Sequence, residues 1–167
     1  ANVVVVGMRS SNELGVIDAT NPAKVPRVQR VVIGPVPDHV AARPHTNEVW
    51  ASTNPMGHLA ILTLAPDGTV SEPKIFKVLD FLSDLAFTPD GELVVVTATG
   101  RAADLAVVDA TTHKTIGSLD MNGYAQEFAI SPDGKYVAVS MQDDDEKRWL
   151  AVVELADGKS PKVINTI

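Results

Sequence analysis

The chain has 167 residues, of which 45% are hydrophobic and 21% are charged, and its formal net charge at pH 7 is -7. This composition is that of a folded globular protein and argues against a disordered chain. The net negative charge argues against nucleic-acid or anionic-membrane partners, because those partners need a concentrated basic surface. No apolar stretch reaches the roughly 18 residues that cross a bilayer, so we expect no membrane insertion. The lack of cysteine excludes disulfides, thiolate metal sites and cysteine nucleophiles.

Two short motifs recur along the chain with the same period of about 45 residues, which is the signature of a repeat architecture. The first is a leucine-led apolar run that begins at Leu14, Leu59, Leu105 and Leu150. The second is an apolar-Ala-apolar run followed by a proline-containing turn, and it begins at Val40, Leu85 and Phe128. Because two independent motifs share one period, each unit is expected to be one small folded element.

The pattern predicts four short strands in each unit. The apolar-Ala-apolar run forms the innermost strand, and Pro-Asp-Gly then closes a tight turn because Pro fixes φ and Gly tolerates a positive φ. The second strand follows this turn at Glu48–Ser52, Glu92–Thr97 and Lys135–Ser140. The leucine-led run is the third strand. The fourth strand is predicted at Arg27–Ile33, Lys74–Val78, Lys114–Leu119 and Lys162–Ile167.

Four antiparallel strands in every 40 to 45 residues, with no sustained helical period, indicate an all-β chain of β-propeller blades. We expect a single propeller segment over residues 1–167, with about four blades near 1–34, 35–79, 80–121 and 122–167. Val3–Met8 matches a second strand, so the first blade is predicted to lack its innermost strand. Since unpaired edges invite association, the chain is expected to form a homo-oligomer or part of a larger propeller.

The stretch from Val107 to Ser140 resembles the YVTN family of propeller repeats, with Val-Val-Asp-Ala-Thr at 107–111 and Ser-Pro-Asp-Gly-Lys at 131–135. Ile33–Ala42 is similar to the Gly-rich lead into the family's inner strand, and Val49–Asn54 resembles the tetrapeptide that names the family. The resemblance covers nearly the whole chain. It implies a propeller in a periplasmic, secreted or cell-surface setting. Related propellers include lactonases, haem domains and adaptors, so the fold does not give the function.

Three metal-capable side chains fall at one equivalent position, just before each inner strand. They are His39, Asp84 and Glu127. One imidazole nitrogen with carboxylate oxygens is a ligand set that suits zinc or a similar divalent cation. The alternative is that each residue is a polar side chain in a solvated loop.

The loops between second and third strands are expected to open on the same end of the propeller and to carry its binding residues. The candidates for ligand binding are Arg9, Met56, His58, Arg101, Asp143 and Arg148. Met56 and His58 are residue types that serve as axial haem ligands, but the chain has no Cys-x-x-Cys-His attachment motif. His45 and His113 are expected to face solvent at turns. Trp50 and Trp149 are expected to pack between blades.

No Gly-rich phosphate loop, nucleophile elbow or His-Glu-x-x-His motif occurs in the sequence. The sequence therefore favours a noncatalytic binding or structural segment that recognises a protein or small-molecule ligand through these loops. One alternative is a metal-dependent hydrolase of the lactonase kind, in which His39, Asp84 and Glu127 hold a cation that activates water. A haem or electron-transfer propeller domain is the other alternative.

Overall fold

A computed structural model describes residues 2–21, 23, 27–100 and 104–167. Within these residues the chain forms fifteen strands in four antiparallel sheets and no helix. Sheet 1 contains β1 (Val3–Met8), β2 (Glu13–Asp18) and β3 (Val28–Val32). Sheet 2 contains β4 (Pro37–Ala42), β5 (Glu48–Thr53), β6 (His58–Thr63) and β7 (Lys74–Lys77). Sheet 3 contains β8 (Leu82–Phe87), β9 (Leu93–Ala98), β10 (Leu105–Asp109) and β11 (Lys114–Leu119). Sheet 4 contains β12 (Tyr124–Ile130), β13 (Tyr136–Gln142), β14 (Arg148–Glu154) and β15 (Lys162–Thr166).

The predicted β-propeller architecture is confirmed. Each sheet is an up-and-down meander whose strands pair in chain order. The inner strands β4, β8 and β12 lie side by side around the axis, and β1 lies next to β4. Sheet 1 has only three strands in the described residues, and the one it lacks is the innermost, as the position of Val3–Met8 predicted.

The core lies between the sheets in three apolar clusters, one at each interface. Leu14 and Val16 of sheet 1 pack with Ala60 and Leu62 of sheet 2. Trp50 of sheet 2 packs with apolar side chains of sheet 3, and sheet 3 packs in the same way on sheet 4. The continuous apolar runs arise because both faces of a central sheet are covered. The expected packing of Trp50 and Trp149 between blades is confirmed.

The Pro-Asp-Gly turns are held by local side-chain hydrogen bonds. The Thr88 hydroxyl donates to Asp90 Oδ1 at 2.6 Å, and the Ser131 hydroxyl donates to Asp133 Oδ1 at 2.7 Å. These hydrogen bonds lower the pKa of both carboxyl groups below its ordinary value. Gly91 closes its turn with a φ of 73°, a backbone conformation that favours glycine. The predicted turns are therefore structural.

Sheet 2 departs from this turn sequence, and Arg43 takes the position of Thr88 and Ser131. Its guanidinium donates to the Gly91 and Ala110 carbonyls of sheet 3, each at 2.9 Å, and pairs with Glu48 at 3.0 Å. Arg43 therefore ties the turn of sheet 2 to the next sheet. His45 is exposed, as expected.

Candidate functional site at the mouth

The starts of first strands, the ends of second strands and the loops to the third strands lie at one end of the sheets, because antiparallel neighbours alternate in direction. We call this end the mouth and the other end, which carries the Pro-Asp-Gly turns, the turn end. The mouth loops are 9–12, 54–57, 99–100 with 104, and 143–147 in the described residues. The candidate residues from the sequence that the structure describes all lie at the mouth.

A β-bulge reshapes the start of each inner strand. The bulges fall between Pro37 and Val40, between Leu82 and Asp84, and between Ala125 and Phe128. Hydroxyls on the second strands hold two of them: His39 donates its N–H to Ser52 Oγ at 3.0 Å, and Glu127 donates its N–H to Ser140 Oγ at 3.2 Å. Bulges redirect side chains next to functional sites. Here they set the direction of the three equivalent polar residues.

His39 and Asp84 meet across the interface between sheets 2 and 3. His39 Nδ1 lies 2.9 Å from Asp84 Oδ1, and Asp84 also accepts the N–H of Leu85 at 2.7 Å. Burial raises the pKa of Asp84 above its ordinary value, and the charge of nearby Glu127 adds to the rise. The pairing with His39 and the N–H groups of Leu85 and Phe128 oppose it. The structure therefore brings the three predicted residues into one electrostatic group.

That group is not a preformed metal centre. In the described part of the chain, no three His, Cys, Asp or Glu side chains come together at metal-binding distances. His39 and Asp84 instead bond to each other, so His39 Nδ1 and Asp84 Oδ1 are already engaged. A divalent cation at His39, Asp84 and Glu127 stays a prediction.

The other predicted binding residues lie apart along the mouth. Arg9 pairs with Asp38 at 3.2 Å and joins sheet 1 to sheet 2. Met56 is exposed in the loop after β5, and His58 begins β6 opposite Thr53. Arg101 lies outside the described residues. The haem hypothesis for Met56 and His58 stays a prediction.

The Asp143 loop is built around its own carboxylate. Asp143 Oδ1 accepts the N–H groups of Asp145 and Lys147 at 3.0 Å and 2.9 Å, so this side chain shapes the loop. Arg148, at the start of β14, lines two grooves on the outer side of sheet 4, with volumes of about 520 and 390 Å³. Asp143 and Arg148 thus belong to the mouth of the last sheet.

An acidic pocket of about 300 Å³ lies between sheets 3 and 4 and is not predicted by the sequence motifs. Asp104 is buried beside it and accepts the Met121 N–H at 2.6 Å. Burial raises the pKa of Asp104, and neighbouring Asp120 adds to the rise. The Tyr124 hydroxyl donates to Asp144 on the pocket wall. One sequence signal was available: Asp104 directly precedes a repeat leucine.

His113 is also placed differently from the expectation. It does not face solvent freely but packs on Trp50 and Phe76, with ring centroids 5.5 and 5.8 Å away. Burial lowers the pKa of His113, and the charge of Lys74 lowers it further. The solvent-facing prediction for His113 was wrong because the residue lies at the edge of an interface between sheets.

The mouth is strongly acidic. Its described basic side chains are Arg9, Lys77, Lys147 and Arg148, together with Arg30, whose guanidinium lies 3.3 Å from Glu13. Its carboxylates are Glu13, Asp38, Asp80, Asp84, Asp104, Asp120, Glu127, Asp143, Asp144, Asp145 and Glu146. At the turn end, acidic and basic residues are more evenly matched, with pairs such as Lys162–Glu154 at 2.8 Å. The mouth therefore carries most of the excess negative charge of the described residues.

No protein-family model matches the chain, and no curated protein matches it. Solved structures do. Hydrazine synthase from Kuenenia stuttgartiensis is 18% identical, with a TM-score of 0.82 over 98% of this chain and 45% of that one. A candidate 6-phosphogluconolactonase from Bacteroides uniformis is 16% identical, with a TM-score of 0.78 over 99% of this chain and 51% of that one. A Lactobacillus plantarum protein is 15% identical, with a TM-score of 0.81 over 99% of this chain and 52% of that one.

These similarities establish the β-propeller fold and nothing about activity, because the sequence identities are low. This chain spans about half the length of the solved structures that it matches. The YVTN resemblance stays a prediction. The described residues include no helix long and apolar enough to cross a membrane.

Proposed function

We propose that the chain is a noncatalytic binding segment of a β-propeller whose mouth recognises a positively charged ligand. The observation that carries the proposal is the concentration of carboxylates at the mouth, where loops of all four sheets open on one surface. Sheets pack rigidly against one another and leave the loops free to vary, which is the usual division between scaffold and binding surface. An extracytoplasmic setting is part of this proposal and rests on the resemblance to YVTN repeats.

Electrostatics favours a cationic partner. A cleft lined by charges of one sign focuses the field and raises the local concentration of ligands of the opposite sign. The pocket between sheets 3 and 4 brings Asp104, Asp120, Asp143 and Asp144 to one cavity. A basic protein segment or a small organic cation would be attracted to this surface, and an anionic ligand would be repelled.

A fluorescent peptide of alternating lysine and glycine is a suitable probe of the proposed surface. The 167-residue chain should bind it at low salt, and binding should weaken as ionic strength rises because exposed charges are screened. The double variant Asp145→Asn/Glu146→Gln removes two exposed mouth carboxylates and should weaken binding several-fold. The matched control is Glu72→Gln/Glu92→Gln, which removes two exposed carboxylates at the turn end. Equal losses in both variants, or equal binding of an aspartate-glycine peptide, would refute the proposal.

A lactonase-like hydrolase is the second candidate, and the His39–Asp84 pair beside Glu127 favours it. An imidazole held by a carboxylate can act as a general base toward water. Propellers of similar fold include the candidate 6-phosphogluconolactonase from Bacteroides uniformis. The acidic mouth argues against a phosphorylated substrate of this kind, because both carry negative charge.

Hydrolysis of 6-phosphogluconolactone, followed with and without added divalent cations, tests this candidate directly. If the chain is such an enzyme, hydrolysis should exceed the spontaneous rate and fall at least about 100-fold in His39→Gln. A rate that equals the spontaneous one under every metal condition would exclude the candidate. The same result would leave the binding proposal intact.

A further inference from the structure

The two ends of the row of sheets expose apolar faces that every internal sheet buries. Sheets 1 to 4 pack in order, so each interface joins the forward face of one sheet to the rear face of the next. We use forward for the face toward the next sheet in the chain and rear for the face toward the preceding one. Sheet 1 leaves a rear face uncovered, and sheet 4 leaves a forward face uncovered. These two faces are a forward and a rear face, the same two kinds of face that pack together at every interface between sheets.

On the forward side, the exposed apolar face of sheet 4 is seen by comparing the equivalent leucines of the four sheets. Leu14, Leu59 and Leu105 occupy the same position in sheets 1, 2 and 3, and each is 0% exposed. Leu150 occupies that position in sheet 4 and is 44% exposed. The sequence repeat is unchanged there, so Leu150 is exposed because none of the described sheets packs on the forward face of sheet 4.

On the rear side, the exposed apolar face of sheet 1 is seen by comparing equivalent valines of the second strands. Val49, Val94 and Val137 lie opposite the third strand at one position in sheets 2, 3 and 4, and they are 5%, 0% and 0% exposed. The equivalent residue of sheet 1 is Val4, which is 49% exposed. Val32 on the same face is 65% exposed. An apolar face of this extent marks an interaction site.

We propose that a second copy of this chain covers both faces and closes a ring of eight sheets. The forward face of sheet 4 in one copy would pack on the rear face of sheet 1 in the other, and the reverse contact would form by two-fold symmetry. The new interfaces continue the series that already joins sheets 1 to 4. Two copies of this chain would together have about the length of each matching propeller, because nearly all of this chain aligns with about half of each of them.

The proposal also explains the groove of about 520 Å³ on sheet 4. Its walls include Gln126, Ser140, Arg148 and Leu150, and it lies on the exposed forward side. In the two-copy ring, sheet 1 of the partner would form the missing wall, so that the mouth at sheet 4 is complete only in the dimer. Sheet 1 contributes three strands in each copy, and the ring would therefore lack an inner strand at two positions related by the two-fold axis.

Sedimentation equilibrium on the 167-residue chain tests the proposal. The expected result is a mass of two chains across a range of concentrations. Leu150→Glu should raise the dimer dissociation constant by about 100-fold or more, because it buries an unpaired charge in each of the two equivalent interfaces. Val4→Glu should have a similar effect on the other side of the same interface. Ile75→Glu, at an exposed position on the outermost strand of sheet 2, is the matched control and should leave the dimer intact.

Both variants place the charge at a side chain that is already partly exposed in one copy, so circular dichroism should show an unchanged β-sheet signal. A monomer of the parent chain with a cooperative melting transition would overturn the proposal, as would an open polymer larger than the dimer. A dimer that survives Val4→Glu and dissociates only in Leu150→Glu would also overturn it, because sheet 4 would then be packing on sheet 4.

Discussion

The turn end and the mouth of this protein follow different rules. At the turn end, sheets 3 and 4 carry equivalent residues at equivalent positions: the hydroxyls of Thr88 and Ser131 donate to Asp90 and Asp133 in the same way, whereas sheet 2 has Arg43 there. At the mouth, one equivalent position carries His39, Asp84 and Glu127, and the loops that follow the second strands differ in length. Repetition in this sequence therefore specifies the fold, and the differences between sheets at the mouth lie where a ligand can bind. Changes at the turn end should therefore affect stability, and changes at the mouth should affect recognition and titration.

One of the two largest stability effects is expected at Arg43, which ties sheet 2 to sheet 3 at the turn end. Arg43→Met would leave the Gly91 and Ala110 carbonyls without the Arg43 donor, and it would leave the Glu48 carboxylate with the Trp50 indole N–H but no cation. Breaking a mostly buried network of this kind should lower the free energy of unfolding by about 3 kcal/mol. Equilibrium unfolding in urea measures the change.

The mouth supplies the control for Arg43, because Arg9 also joins two neighbouring sheets through an ion pair. Its guanidinium is exposed and has one carboxylate partner, Asp38, at 3.2 Å. Arg9→Met should therefore cost less than about 1 kcal/mol. If Arg43→Met and Arg9→Met lower the free energy of unfolding equally, then the arginine at the turn end does not stabilise the fold more than the one at the mouth.

The next stability effect is expected when glycines with a positive φ are replaced by valine. Three such positions differ in how close a new side chain would come to its neighbours, so they distinguish backbone strain from steric contact. A Cβ at Gly91 would lie 2.9 Å from the Pro44 carbonyl oxygen, and one at Gly134 would lie 3.3 Å from Pro89 Cδ. A Cβ at Gly68 would meet no atom within 4 Å. Substitution by valine should therefore lower the free energy of unfolding by about 3 kcal/mol at Gly91, about 2 kcal/mol at Gly134 and about 1 kcal/mol at Gly68.

Thermal and urea unfolding of the three valine variants measure this order. Gly68→Val reports strain alone, since its surroundings are open. The difference between Gly91→Val and Gly68→Val then reports the contact with the preceding sheet. Equal losses at all three positions would mean that the turn end is not packed as described.

The sequence predicted the fold well because the fold is local and repeated. The leucine spacing, the Pro-Asp-Gly turns and the missing inner strand of sheet 1 all follow from patterns within one unit. What the sequence could not predict depends on contacts between units. Arg43 bonds Ala110 and Thr111, and His113 packs on Trp50, at separations that no local pattern encodes.

The sequence predicted which positions form the candidate site but not which of their side chains contact one another. Aligning the repeats placed His39, Asp84 and Glu127 at equivalent positions, and the structure brings them near one another. The contact between His39 and Asp84 was not predictable, because it depends on the bulges that reshape the inner strands. The buried carboxyl of Asp104 was missed for a similar reason, since its hydrogen bond to Met121 follows from how a loop folds back.

The smallest effect is a shift in titration at the mouth, and it can be measured without loss of fold. Burial raises the pKa of Asp84, Glu127 raises it further, and His39 lowers it. The variants should therefore move the Asp84 pKa in opposite directions, upward in His39→Gln and downward in Glu127→Gln. Carboxyl carbon chemical shifts followed by NMR during a pH titration report both changes. Arg9→Gln is the control, because Arg9 pairs with Asp38 and not with Asp84.

The sign of the linked stability change follows from the raised pKa. The folded state binds the Asp84 proton more tightly than the unfolded chain does, so stability falls as pH rises from the ordinary aspartate pKa through the raised one. Below that window the group has no net effect, and above it the loss is complete. The stability lost over this pH range should be larger in His39→Gln and smaller in Glu127→Gln. Equilibrium unfolding at several pH values across the range measures both changes. If both variants shift the Asp84 pKa in the same direction, the three side chains do not form the electrostatic group described at the mouth.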